Sequence, residues 1–264
     1  MFCKYNITPL DARTWVIEEK TPASQSLCYL LCGEDAALLV DTGMPFGNIK
    51  KVANKLTDLP VTAVNTHAHV DHIGSNFRFD DICYHEDDRE MFALHTDPAY
   101  IGGELAGYAL PQKAAKPFAP FIKLLLTPKD AGNYRYVRDG HVFHLGGRDV
   151  EVVHTPGHTP GCICLLDREA RMLFTGDSLC EWGILLDLKG CCAPETYLAS
   201  VRRVKELSPA FDRILPGHHG WPVDKSYTDE FEACAAGILD GSAETVRDGK
   251  RKFAKYGKVV IALP

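Results

Sequence analysis

Residues 66–74, THAHVDHIG, decide how this chain is read: three histidines and an aspartate fall within six positions, as H-x-H-x-D-H. His67 and His69 are two apart. On an extended backbone, side chains two apart project to the same face, so both imidazoles can reach one metal ion. Asp71 shares that parity and His72 breaks it, so on an extended chain His72 points elsewhere, and a turn there could aim Asp71 and His72 at a second ion. Nitrogen and oxygen donors of this kind suit zinc, and also iron or manganese. Three later loops, each after a strand-like run, offer further donors: His158 in TPGHTPG (155–161), Asp177 in TGDS (175–178) and His218 in PGHHG (216–220). Upstream, the apolar run 36–40 ends at Asp41, followed by Thr42 and Gly43. A carboxylate closing a buried strand must find donors or a charge partner. It can do so as a turn cap or as support for metal ligands.

The chain has 264 residues, enough for one large domain or two small ones. Its 45% hydrophobic and 24% charged content is that of a soluble globular protein. A net charge of −6 weighs against a nucleic-acid partner. No run is long and apolar enough for a membrane span. The N-terminal twenty residues show no basic region followed by an apolar core, so a cytoplasmic protein is expected. The ten cysteines include no C-x-x-C pair, which predicts reduced thiols serving mainly as small apolar packing groups. Cys180, Cys191 and Cys192 lie near Asp177 in sequence and are candidates to line a pocket.

Working outward, strands are predicted at 15–18, 61–65, 82–85, 149–154, 173–174, 213–215 and 258–262, with a hairpin over 26–41 turning at Gly33-Glu34-Asp35. Helices are predicted at 46–55, 87–95, 194–207 and 228–239. The alternation implies an α/β layered fold with its site on loops at strand ends. Residues 98–133 lack a strand rhythm and read as a helical insertion, in which Tyr100, Tyr108, Phe118 and Phe121, with Tyr134 just beyond, are candidate walls of a substrate pocket. His154 reads as a supporting or packing residue. His219, beside His218, is a competing ligand. His85, His95, His141 and His144 have no partner spacing.

With VDTG ending at Gly43, then THAHVDHIG, TPGHTPG, TGDS and PGHHG in that order, the chain resembles the metallo-β-lactamase-fold hydrolases over nearly its whole length. The resemblance implies an αββα sandwich: a single domain over 1–264 with the 98–133 insertion inside it. It implies His67, His69 and His158 on a first metal, Asp71, His72 and His218 on a second, Asp177 bridging the two, and Asp41 as a buried aspartate near them. The implied cofactors are two divalent ions, zinc foremost, with iron or manganese as alternatives. Such ions make hydroxide available near neutral pH and polarise a substrate oxygen, with Asp71 as the residue that orients or deprotonates the nucleophile. The implied activity is hydrolysis of an ester, thioester, lactone or related small molecule. An aspartate at 177 points away from the zinc β-lactamases, and His69 in place of glutamate points away from the flavodiiron branch. The short tail after His218 departs from glyoxalase II. The alternatives are a single-iron oxidoreductase resembling the persulfide dioxygenases and a non-catalytic metal-binding scaffold. The expected partner is a small-molecule substrate, without nucleic acid or membrane. A homo-oligomer is left open.

Overall fold

Short apolar runs with no polar alternation build the first sheet, because its central strands are covered on both faces. The computed structural model describes residues 3–21, 24–97, 100 and 133–263. By its contacts the chain divides into two compact units, residues 1–137 with 143–148, and residues 138–142 with 149–264. The first unit carries β1 (Lys4–Asp11), β2 (Thr14–Lys20), β3 (Gln25–Cys32), β4 (Ala37–Val40), β5 (Val61–Val64), β6 (Asp81–His85) and β7 (Asn133–Val137), hydrogen-bonded in that order. β1 to β4 form an antiparallel meander, and β4 to β7 run parallel. All four residues of β4 are buried, as its ALLV sequence requires. β1 escaped the sequence reading because KYNITPLD is largely exposed and presents no apolar face.

Helix α1 (Ile49–Leu56) starts at Asn48, whose side chain accepts from the Lys51 amide, and buries Ile49 and Ala53 against Leu30, Leu39 and Ala63. α2 (Val70–Ile73) is a single turn, and α3 (Arg89–Thr96) follows a short 3-10 turn at Glu86–Asp88. Because β4, β5 and β6 are parallel, their C-terminal ends share one edge of the sheet. Asp41 leaves from the first of these ends and the 66–73 stretch from the second.

The chain passes back through the first unit around β8 (Val142–His144). In the second unit β9 (Asp149–His154), β10 (Ile163–Asp167) and β11 (Met172–Gly176) are antiparallel neighbours. β12 (Ile184–Leu185) belongs elsewhere. β13 (Arg213–Pro216) pairs in parallel with β11 and antiparallel with β14 (Val223–Asp224). Helices α4 (Pro194–Glu206) and α5 (Tyr227–Asp240) bury Tyr197, Val201, Phe231 and Cys234 in one core with Leu173 and Ile214. A separate four-stranded sheet joins β15 (Glu244–Asp248), β16 (Arg251–Tyr256) and β17 (Val259–Leu263) to β12, in the order β12-β17-β16-β15. The sequence reading placed only the last of its strands. The exposed charges of ETVRD and RKFAKY hide a hairpin that turns at Gly249, where φ is +57°.

The expected insertion lies almost entirely outside the described residues. Tyr134, read as a pocket wall, is a residue of β7 whose ring stands edge-on to Phe92 with centroids 4.8 Å apart. Among the described residues no helix is long and apolar enough to cross a membrane.

Candidate metal centre

Of the seven candidate ligands, His67, His69, Asp71 and His72 lie in the first unit, and His158, Asp177 and His218 in the second. In the first unit β5 delivers the motif. His69 is still extended (φ −76°, ψ 150°) and caps α2. The His67 and His69 rings meet edge to face with centroids 4.8 Å apart. The single turn of α2 then folds His72 back until its ring is 4.0 Å from that of His67. It also sets Asp71 Oδ2 4.0 Å from His72 Nε2. This is the turn that the broken parity of the motif allowed for. All four side chains are buried.

Buried ligands hold their places only if their surroundings are satisfied. Asp41 adopts a left-handed backbone, φ +60°, which is uncommon for a non-glycine residue. Its Oδ1 accepts from the Thr66 amide at 2.7 Å, and its Oδ2 accepts from Thr66 Oγ1 and His72 Nδ1, both at 2.8 Å. The His72 carbonyl accepts from the Thr42 amide at 2.8 Å and from Asn65 Nδ2 at 3.1 Å, and the Asn65 amide is held in turn by Asn76. Asp88 accepts from the Ala68 amide at 2.8 Å, and His95 Nδ1 accepts from the Val70 amide at 3.1 Å. Asn76 and Asp88 were missed by sequence reasoning, since nothing in their local pattern marks them, whereas His95 is buried and hydrogen-bonded in the core. Glu19 was missed as well. It is buried, accepts from the Met44 amide at 2.6 Å and from the Cys3 thiol at 3.0 Å, and burial pushes its carboxyl up to about 7. Its carboxylate fills the space that a Cβ on Gly43 would need, which seats the turn after Asp41.

In the second unit β9, β11 and β13 point the same way, so His158, Asp177 and His218 follow strand ends at one edge. Gly176 pairs with Pro216, and the Gly217 amide donates to the Gly176 carbonyl at 2.8 Å, tying two of the loops together. Asp177 Oδ2 lies 3.6 Å from His158 Nε2, and Asp177 Oδ1 lies 3.6 Å from His218 Nε2. One carboxylate oxygen therefore faces each imidazole. The TPGHTPG loop is folded on itself by the Thr155 amide donating to the Cys162 carbonyl at 2.8 Å. His154 Nε2 donates to the Pro160 carbonyl at 2.8 Å. A Cβ on Gly157 would come within 2.6 Å of the Tyr197 ring, whose hydroxyl donates to the Ser178 carbonyl at 3.0 Å. His219 sits at φ +67° and stacks on Trp182. Of the three cysteines singled out, Cys180 is buried and the other two are half-buried. The Cys191 thiol donates at 3.4 Å to the Leu185 carbonyl that also accepts from His158. No disulfide joins any of the ten.

The donor chemistry of each group fits a divalent cation. His72 Nδ1 faces a carboxylate at 2.8 Å, and His158 Nδ1 faces the Leu185 carbonyl at 2.7 Å. Both partners only accept, so Nδ1 carries the proton and the Nε2 lone pair is left for a cation. Two ligand bonds of roughly 2.0–2.2 Å at a tetrahedral angle put their donor atoms about 3.3–3.6 Å apart, and nearly in line up to about 4.2 Å. The 3.6 Å separations around Asp177 match the tetrahedral spacing, and the 4.0 Å between Asp71 and His72 requires a wider angle at the ion.

A sequence model of the metallo-beta-lactamase superfamily matches residues 21–218. The chain belongs to that superfamily, has its α/β fold and is one of its hydrolases. The human acyl-coenzyme A thioesterase MBLAC2 is 26% identical over 232 residues, covering 79% of this chain and 78% of its own. The Mycobacterium tuberculosis uncharacterized protein Rv2581c is 32% identical over 206 residues, covering 72% of this chain and 84% of its own. Among solved structures, a beta-lactamase domain protein from Burkholderia ambifaria superposes with a TM-score of 0.64 at 21% identity, over 89% of this chain and 77% of its own. TTHA1623 in a di-iron-bound form superposes with a TM-score of 0.56 at 27% identity, over 78% and 92%.

Proposed function

We propose that the chain is a metal-dependent thioester hydrolase that binds two divalent ions and cleaves an acyl thioester to an acid and a thiol. The observation that carries this reading is the Asp177 carboxylate, with one oxygen toward His158 and the other toward His218. A carboxylate so placed can serve two neighbouring ions at once and offset their mutual repulsion. His67, His69 and His158 would hold one ion, and Asp71, His72 and His218 the other, with Asp177 shared between them. When bound, the ions lower the pKa of water toward neutrality and polarise the thioester carbonyl. The remaining work falls to the protein. Asp71 orients the attacking water and holds its proton. The Asp41 carboxylate keeps the His72 ring in the Nε2-ligating tautomer, and the Leu185 carbonyl does the same for His158. Zinc is the first choice on the nitrogen-rich donor set, with iron next, as in the di-iron relative.

The choice of thioester over lactone or phosphodiester rests on the likeness to the MBLAC2 thioesterases. Eight of the ten thiols are buried and none is paired in a disulfide, which accords with a cytoplasmic setting. The test is elemental analysis of protein purified without added metal, followed by turnover on thioesters, lactones, β-lactams and phosphodiesters. Two ions per chain and preference for thioesters are expected. One iron per chain with oxygen consumption on a persulfide would overturn the proposal in favour of the oxidoreductase reading, and full metal content without any turnover would favour the scaffold.

A further inference from the structure

Trp182 is 67% exposed, the largest side chain among the exposed apolar residues described. An indole left in water is costly, since a buried aromatic removes roughly 150–250 Å² from solvent. This one also has a stacking partner. Its ring stacks on His219, with centroids 5.7 Å apart and planes 24° from parallel. The preceding residue, Glu181, accepts from the Gly220 amide at 3.0 Å, so the 181–183 and 218–220 loops are tied at two points. On the other side Gly183 donates to the Cys180 carbonyl at 3.0 Å, and at φ +125° it leaves no room for a Cβ because the Val260 carbonyl occupies that space. The indole is thus fixed five residues after Asp177 and against the neighbour of His218.

Resting on the thioesterase reading, we propose that Trp182 is the platform on which the acyl chain of the substrate lies. The reacting carbonyl has two arms. The acyl arm is wholly apolar and matches an indole face. A phosphate-bearing thiol arm would meet the Glu181 carboxylate beside it, where like charges repel. The partly exposed Val260 adds apolar surface on the neighbouring strand β17, with Ile184 buried in the core behind it. Trp182 is accordingly a specificity-determining residue for chain length, separate from the groups that hold metal.

Two measurements test this. In a Trp15→Phe, Trp221→Phe variant, Trp182 is the sole tryptophan. Its emission is followed during titration with non-hydrolysable S-ethyl and S-decyl thioether analogues of coenzyme A. A blue shift that grows with chain length is expected. Should that variant fold poorly, the difference in emission between wild type and Trp182→Phe on adding each analogue gives the same signal. Independently, Trp182→Ala should lower kcat/KM on a decanoyl thioester by about tenfold or more beyond its effect on an acetyl thioester, chiefly through KM. Trp182→Phe should recover much of the loss, and metal content should match wild type. Emission indifferent to chain length, or a Trp182→Ala loss equal on both substrates, overturns the proposal. If the wild type cleaves no thioester while Trp182 emission still follows chain length, the thioesterase reading fails and the apolar platform stands.

Discussion

Replacing Asp41 with Asn tests how the first unit prepares a ligand. Asn tolerates the left-handed backbone at this position, so the substitution changes the side chain and not the turn. The carboxylate accepts three hydrogen bonds, from the Thr66 amide, Thr66 Oγ1 and His72 Nδ1. The Asn amide can keep only one oxygen. If its NH2 faced the Thr66 backbone amide, two donors would collide and neither could yield. If it faces the other pair, Thr66 Oγ1 can rotate to accept and His72 can move its proton from Nδ1 to Nε2. The second orientation should win, and it puts a proton on the nitrogen proposed to bind metal. Bonds to a charged acceptor contribute about 1.5–3 kcal/mol against about 1 kcal/mol for neutral ones, so a loss of roughly 2–4 kcal/mol in unfolding free energy is expected. Metal affinity should fall roughly tenfold to a hundredfold, as for other losses of a partner behind a ligand. Urea unfolding, competition with a chromophoric chelator and imidazole ¹⁵N shifts of metal-free protein read the three effects separately. A variant in which His72 keeps its proton on Nδ1 and metal affinity is unchanged would refute the reasoning, whatever happens to stability.

Three further outcomes are expected. Glu19 has a folded-state pKa near 7 against an ordinary value of 4.5, so its contribution to stability is complete below pH 4.5 and is lost as pH rises through 7. The change should be about 3 kcal/mol, and a Glu19→Gln variant unfolded in urea across that range should lack it. Asp177→Ala should abolish most turnover and leave less than two ions per chain by elemental analysis, whereas His154→Ala should cost no more than roughly a hundredfold in activity. If His154→Ala released metal and His158→Ala did not, the ligand of the TPGHTPG loop would be misassigned. Tyr197→Phe should lower unfolding free energy by about 1–3 kcal/mol by leaving the Ser178 carbonyl unsatisfied, and Gly157→Ala should be at least as damaging because the new methyl meets the Tyr197 ring. Thermal melts of the two variants check both.

The candidate ligand motifs, their order and the strand ends they follow are legible in the sequence. That information is local: two-residue parity in THAHVDHIG, apolar runs such as ALLV, and the Gly and Pro of TPGHTPG and PGHHG. The turn that breaks the parity at His72 was readable for the same reason. What holds those candidate side chains in place depends on the fold. Asp41 and His72 are 31 positions apart, and Thr42 meets Asn76 across 34. Arg148 is buried, donating to the carbonyls of Arg13 and Cys32 and to Thr14 Oγ1 across more than a hundred residues. Pairings at such separations leave no periodic trace in the chain, because they arise from which strand ends the sheet brings together. The same holds for Trp182 and His219. Each is unremarkable in its own stretch, and only the meeting of two loops makes them a platform.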